Sequence, residues 1–198
     1  MLKIMLCVAL SSCDKPRENQ GHGNGSQFEN AKASANEGDA EAQFDLANHY
    51  YNGDGVPQDY SMARKWYKLA AEQNHAEASY ALGVIYKQGK GGIEDKKKSL
   101  KYYTLAAKKG NANAQLELGK WYYVGYNKDV GKSFIAAYMF FNLAAANNEK
   151  DEVPALRDVR NEAEKWKRML EKKMTSEQIA EAQSWSTEWH EDASGSSR

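Results

Sequence analysis

Four histidines and 27 carboxylates are the side chains in this chain that could do acid–base or metal chemistry, and the sequence does not gather them. His22 falls in a stretch rich in Gly and Asn, His49 precedes a tyrosine of an apolar pattern, His75 sits at a junction between helical segments, and His190 stands near the carboxyl end. None has a partner at metal-ligand or triad spacing. The one dense cluster, His190-Glu191-Asp192, is terminal, where such clusters are usually solvated charge. No catalytic residue, no cofactor and no metal site is expected. What does recur at fixed spacing is aromatic: Tyr50, Tyr86 and Tyr122 follow one another by 36 residues, and aromatic side chains are the material of recognition surfaces as well as of cores.

The same step of 36 organises the elements around them. Ala40-x-Ala42 with Leu46 and Tyr50 returns as Ala76-x-Ala78 with Leu82 and Tyr86, then as Ala112-x-Ala114 with Leu118 and Tyr122. A period in this range marks stacked supersecondary units, because one helix pair cannot bury its apolar side alone. Gly53, Gly89 and Gly125 read as stops after the first helix of each unit, and Asp59 and Asp95 as amino-terminal caps of the second. The third copy matches two residues late, with Phe140-Phe141-Asn142-Leu143-Ala144-Ala145 aligned on Trp66 to Ala71 and no aspartate cap. Asn74, Gly110 and Asn148 are expected to end the three second helices.

The pattern Ala-x-Ala, Leu-Gly-x-x-Tyr, Gly-x-Gly, Trp-Tyr-x-x-Ala-Ala resembles the Sel-one-like repeat family, relatives of the tetratricopeptide repeats. Ala47 departs from it where the family prefers glycine, and Gly125-Tyr126-Asn127 replaces the Gly-x-Gly of the third copy. The resemblance implies an all-α fold, an α-solenoid of antiparallel helix pairs in a right-handed superhelix whose inner surface is lined by the first helix of each pair. The repeats are placed at 39–74, 75–110 and 111–148 within a unit spanning 27–148, followed by capping helices over 149–192. One subgroup of this family carries a disulfide in every helix pair and is linked with penicillin binding or hydrolysis. These repeats contain no cysteine, so that activity is not carried over.

Helix geometry separates the faces independently. At 100° per residue, Ala42, Ala47 and Tyr50 stay near Leu46, while Glu41, Phe44, Asn48 and Tyr51 gather opposite. The opposite faces stack in columns: Phe44, Tyr80 and Leu116; Asn48, Val84 and Lys120; Tyr51, Lys87 and Tyr123. These residues, with Glu41, are the expected partner-binding surface, and inter-repeat packing is the competing use of the same side chains.

Beyond the repeats, Leu156, Val159, Ala163, Trp166 and Leu170 at spacings of three and four predict one long amphipathic helix. Thr175 and Gln178 predict a capping box opening another, whose Trp185 and Trp189 are expected to pack against the long helix. Met174–Ala182 resembles the closing segment of many bacterial family members. Lysine plus arginine equals aspartate plus glutamate at 27 each, which offers no general field for nucleic acid.

At the amino end, Met1-Leu2-Lys3 precedes an apolar run, Ile4 to Leu10, too short to span a bilayer and ending in Leu10-Ser11-Ser12-Cys13. This resembles a bacterial lipobox, which implies a removed signal peptide over 1–12, lipidation at Cys13, a flexible spacer over 13–26 and a membrane-anchored protein facing the periplasm. The tail 193–198 is expected to be disordered. Together the resemblances imply a protein–protein interaction scaffold rather than an enzyme. Small repeat lipoproteins of this kind are sometimes encoded beside phospholipase effectors of type VI secretion, so the sharpest expectation is an immunity protein that binds a secreted toxin. An adaptor or regulator of an envelope complex or sensor kinase is the alternative.

Overall fold

The computed structural model describes residues 21–126, 131–146 and 154–194, which hold nine α-helices and no strand. They run α1 Gly21–Asn36, α2 Ala40–Asn52, α3 Tyr60–Glu72, α4 Ala76–Gln88, α5 Lys96–Lys108, α6 Ala112–Val124, α7 Phe134–Ala146, α8 Pro154–Glu171 and α9 Ser176–Ser194. The first helices of the three repeats are α2, α4 and α6; their second helices are α3, α5 and α7. The fold is the all-α repeat array expected from the 36-residue period.

Repetition in sequence becomes repetition in hydrogen bonds. Each first helix ends on a left-handed glycine, Gly53 (φ 82°), Gly89 (φ 67°) or Gly125 (φ 74°), whose N–H donates back to His49, Ile85 or Trp121. Asp59, Asp95 and Ser133 then donate backbone N–H groups to Tyr50, Tyr86 and Tyr122 at 2.8, 2.9 and 2.9 Å. Asp59 and Asp95 cap α3 and α5 through their carboxylates. The third copy has no aspartate there; Ser133 Oγ accepts from Ala136 N–H at 3.2 Å and does the same work. The residues that absorb the small insertion include 127–130, which lie outside the described residues, as do Asn148, Cys13 and 195–198.

Two boundaries differ from expectation. Helix α1 begins at Gly21, inside the stretch expected as flexible spacer, so 21–26 are helical. Its signal was in the sequence but lies on the turn rather than on an apolar stripe: Ala35-x-x-Gly38-Asp39-Ala40 matches Ala107-x-x-Gly110-Asn111-Ala112. Helix α9 likewise runs through Ala193 and Ser194, where a disordered tail was expected.

Within each pair, an aromatic ring of the second helix lies on a residue with little or no side chain in the first. A Cβ added at Gly83 would overlap the Tyr103 ring, and one at Gly119 would overlap Phe141. In the first repeat Ala47 stands at this position, buried in one cluster with Tyr67, whose hydroxyl donates to Asn48 Oδ1 at 2.6 Å. Tyr67, Tyr103 and Phe141 are 2%, 1% and 0% exposed. Burial pushes the Tyr67 and Tyr103 hydroxyls far above the ordinary tyrosine value, so both remain neutral donors.

The array is closed by α8 against α7 and α6, and by α9 against α7. Thr175 and Gln178 form the reciprocal capping box, at 3.1 and 3.3 Å. Trp189 does not pack on the long helix as expected; its ring meets Phe140 of α7 at 5.2 Å. The cause is α7 itself, apolar nearly all round with Ala136 to Phe141 buried, which presents a second apolar side that only α9 covers. Trp185 stays 38% exposed.

Gly83→Ala and Gly119→Ala should therefore each destabilise the protein by about 1–3 kcal/mol through overpacking. Ala47→Gly should cost no more than about 1 kcal/mol, the helix-propensity difference. Urea unfolding measures both; wild-type stability in the two alanine variants would mean that the rings move aside freely.

Candidate protein-binding site

The candidate surface is the row of first helices, α2, α4 and α6, continued by α8. Helix packing sets the expected contact residues against the next unit or against the second helix of their own. Glu41 Oε2 lies 3.1 Å from His75 Nε2, and Phe44 stacks on the His75 ring at 4.7 Å. Tyr51 accepts a hydrogen bond at its hydroxyl from Lys90 at 2.6 Å, and the same ammonium sits 4.6 Å from its ring centroid. Tyr80 tilts onto Tyr103 at 5.7 Å, and Val84 is half-buried beside the same cluster. Tyr123 stacks on Phe134, meets Trp166 at 5.2 Å and accepts from Lys173 at 3.0 Å.

Leu116 is the exception. At 4% exposure it packs with Ala137, Phe141 and Ala163 in the core, because α8 covers the end of the array where Phe44 and Tyr80 have no such lid. Its column therefore offers contact surface only in the first two copies, and Leu116 is corrected from a partner-contact residue to a core residue.

Charge runs along the same row as an alternating chain. Lys87 Nζ reaches Glu117 at 2.6 Å, Glu117 reaches Lys120 at 3.3 Å, and Lys120 reaches Glu162 of α8 at 2.9 Å. Burial alone would lower the Lys120 pKa, but hydrogen bonding and charge from Glu162 and Glu117 outweigh it and hold it above the ordinary lysine value. The Lys120 hydrogen bond holds the Glu162 carboxyl below its ordinary value.

Two histidines, His75 and His49, make structural contacts. His75 caps α4, its Nδ1 accepting from Ala78 N–H at 3.2 Å while Nε2 faces Glu41, an arrangement that fits the neutral ring protonated on Nε2. His49 Nδ1 lies 2.7 Å from Asp54 O, and His190 is exposed on α9. Among the described residues no group of three His, Cys, Asp or Glu side chains is placed to hold a metal ion.

Repeated caps, repeated ring contacts and one stacked row have a counterpart among known proteins. The Sel1 repeat model matches residues 40–75, 76–111 and 112–149. The chain belongs to the Sel1 repeat family. A Sel1 repeat protein from Oxalobacter formigenes is 32% identical over 68% of this chain and 97% of its own, with a TM-score of 0.56. The protective antigen c5321 of uropathogenic Escherichia coli, which displays the same repeat fold, is 26% identical with a TM-score of 0.65. That match covers 88% of this chain but only 34% of the E. coli protein. An immunity protein, Pa5087 of Pseudomonas aeruginosa, is 15% identical with a TM-score of 0.32, a likeness too slight to carry an argument. Among curated proteins none matches the chain.

Sel1 repeats are protein-interaction scaffolds, and the row described above is the candidate surface for that role here. Residues that shape it without having been anticipated are Lys90, Glu117, Glu162, Trp166 and Lys173. Their partners lie 30 to 50 residues away in sequence for Lys87–Glu117, Tyr51–Lys90 and Tyr123–Lys173, distances that only the stacking of Sel1 units, and of the closing helix on the last of them, brings together.

Because Glu162 is partly exposed, Glu162→Gln should cost less than about 1 kcal/mol at neutral pH. Its folded-state pKa lies below the unfolded value of 4.5, so its contribution is complete above that value and is lost as pH falls through the folded-state pKa. Urea midpoints of the two proteins should differ at pH 7 and converge as the pH falls through the Glu162 folded-state pKa; a difference undiminished at acid pH contradicts the ion-pair account.

Proposed function

We propose that this Sel1 protein is a lipid-anchored, periplasm-facing scaffold of the bacterial envelope, and most specifically an immunity protein that occupies a secreted toxin such as a type VI secretion phospholipase effector. The observation that carries it is the first-helix row, which sets Phe44, Tyr51, Tyr80 and Tyr123 half-buried beside Lys87, Lys90 and Lys173. Half-buried aromatics fixed by neighbours enter a complex with little rotamer entropy left to lose, which is what makes such residues energetic centres of interfaces. Charged pairs at the rim set orientation and association rate. A stable complex on this row buries roughly 1,200–2,000 Å².

Anchorage rests on Leu10-Ser11-Ser12-Cys13 and its preceding apolar run, all outside the described residues. No helix among the described residues is long and apolar enough to cross a membrane. An immunity protein must meet its toxin where the toxin acts, and one acyl chain with a second membrane signal suffices to hold a protein there.

Tyr51→Ala, Tyr123→Ala and Lys87→Glu should each weaken binding to the toxin that the protein neutralises by at least about 1 kcal/mol in calorimetry, with helicity retained. Leu105→Ala, on the outer side at 40% exposure, should leave it unchanged. Cys13→Ser should release the protein from the membrane fraction and abolish protection against toxin-secreting siblings while leaving affinity in vitro intact. Unchanged survival of a deletion strain under that challenge would favour an envelope adaptor instead.

A further inference from the structure

The turn that enters the first repeat is a copy of the turns that enter the second and third. Gly38, Asn74 and Gly110 all have positive φ, and their N–H groups donate to Ala35, Ala71 and Ala107 at 3.1, 3.0 and 3.1 Å. Gln43 Nε2 donates to Ala35 O at 3.3 Å as Gln115 Nε2 donates to Ala107 O at 3.2 Å. Helix α1 is thus the second helix of a half repeat. Gln27, Ala31 and Ser34 occupy in it the positions of Ala63, Tyr67 and Ala70 in the first repeat and of Ser99, Tyr103 and Ala106 in the second.

In the complete repeats those positions are buried against the repeat's own first helix, at 2% exposure or less. In α1, Gln27 and Ser34 are exposed and Ala31 is half-buried. They line a groove of about 840 Å³ between α1 and α2, whose other wall includes Glu41, Asp45 and Asp54. Asp45 stands two repeats before Glu117, and Glu117 is the residue that accepts Lys87 from the preceding first helix at 2.6 Å. Among the described residues no lysine or arginine does this for Asp45. Burial first, and repulsion from Glu41 second, raise its carboxyl above the ordinary value, a stress that an approaching cation would relieve. The described part of this end is strongly acidic: from Gly21 to Asp59 there are seven carboxylates and a single lysine, Lys32.

We propose that the α1–α2 groove docks a basic helical segment of a partner protein, which takes the place of a first helix in the half repeat and sets a lysine or arginine against Asp45 as Lys87 is set against Glu117. The same geometry fixes a second property of the occupant. Ala31 stands where Tyr67 and Tyr103 stand, so the ring that fills the space over Gly83 is missing here. The incoming helix therefore carries a bulky apolar residue at the Gly83 position. This inference rests on the interaction role of the Sel1 family and not on the toxin reading.

The probe is a fluorescent peptide of sequence Ala76–Gln88 carrying Gly83→Leu, cross-linked to stay helical and titrated against the full chain by anisotropy. Saturable binding is expected, about tenfold weaker for the same peptide with Lys87→Glu, and weaker still in high salt. With Asp45→Asn protein the two peptides should bind within about twofold of each other, since the cycle isolates the pair. Tyr51→Ala protein should behave as wild type, so that a failed toxin experiment and a failed groove experiment are told apart. No saturable binding, or an undiminished lysine preference in Asp45→Asn protein, overturns the proposal. So does binding that appears only once residues 1–20 are cleaved off, which would make the chain's own amino end the occupant.

Discussion

The contact on which the array depends is the aromatic ring of each second helix lying on the backbone of its first helix. Tyr103 over Gly83 and Phe141 over Gly119 leave no room for a Cβ, so the two helices approach as closely as a flat ring allows. The ring fills the space, excludes water and fixes the relative rotation of the pair. That rotation decides which residues of the first helix face inward to the ring, which stack on the next unit, and which remain on the outer row. Because the contact recurs at a fixed step, a small error in it would be multiplied along the stack, and the left-handed turns that follow α1 to α6 hold the step constant.

Given that geometry, the binding row is half-buried by necessity. Its side chains are short of one neighbour, not two: each has the next unit on one side and solvent on the other. Phe44 spends that neighbour on the His75 ring, Tyr51 on Lys90, Lys87 on Glu117, and Tyr123 on Trp166 and Lys173. Packing between repeats and recognition by the row are thus two uses of one surface. A partner meets side chains whose rotamers are already chosen, and must leave the Lys87–Glu117–Lys120–Glu162 chain intact or replace its bonds.

Much of this was legible in the sequence because it is periodic. The step of 36, the glycine stops and the face carrying Leu46 and Ala47 are local properties repeated three times, the aspartate caps twice, and each reappears in the fold. What escaped was non-local or non-repeated. Leu116 reads like Phe44 and Tyr80 on a helical wheel, and only the presence of α8 beyond the third repeat buries it. Trp189 follows an amphipathic pattern that names an apolar face but not its partner; the all-round apolarity of α7 selects that partner. Helix α1 lacks an apolar stripe because half of its usual contacts are absent, so the signal that reveals it is the turn after it.

The two ends of the stack solve the same problem differently. A second helix exposes its outer side to solvent when no further helix lies over that side: Leu69 of α3 and Leu105 of α5 are 42% and 40% exposed on the outer surface. Their counterpart Leu143 in α7 is 1% exposed, because α9 lies over it, and Phe140 is covered by Trp189. The carboxyl end must add two helices because α7 carries Met139 where α3 and α5 carry Lys65 and Lys101, and sets it beside Phe140 and Leu143, a patch whose exposure in water would be costly. Among the described residues the amino end adds half a repeat and makes the open side polar, with Gln27, Asn30 and Ser34 where rings and alanines would otherwise stand. A polar open side is stable without a cover. It also leaves a helix-wide groove with carboxylates around it, so the economy that closes one end of the array is what keeps the other end available.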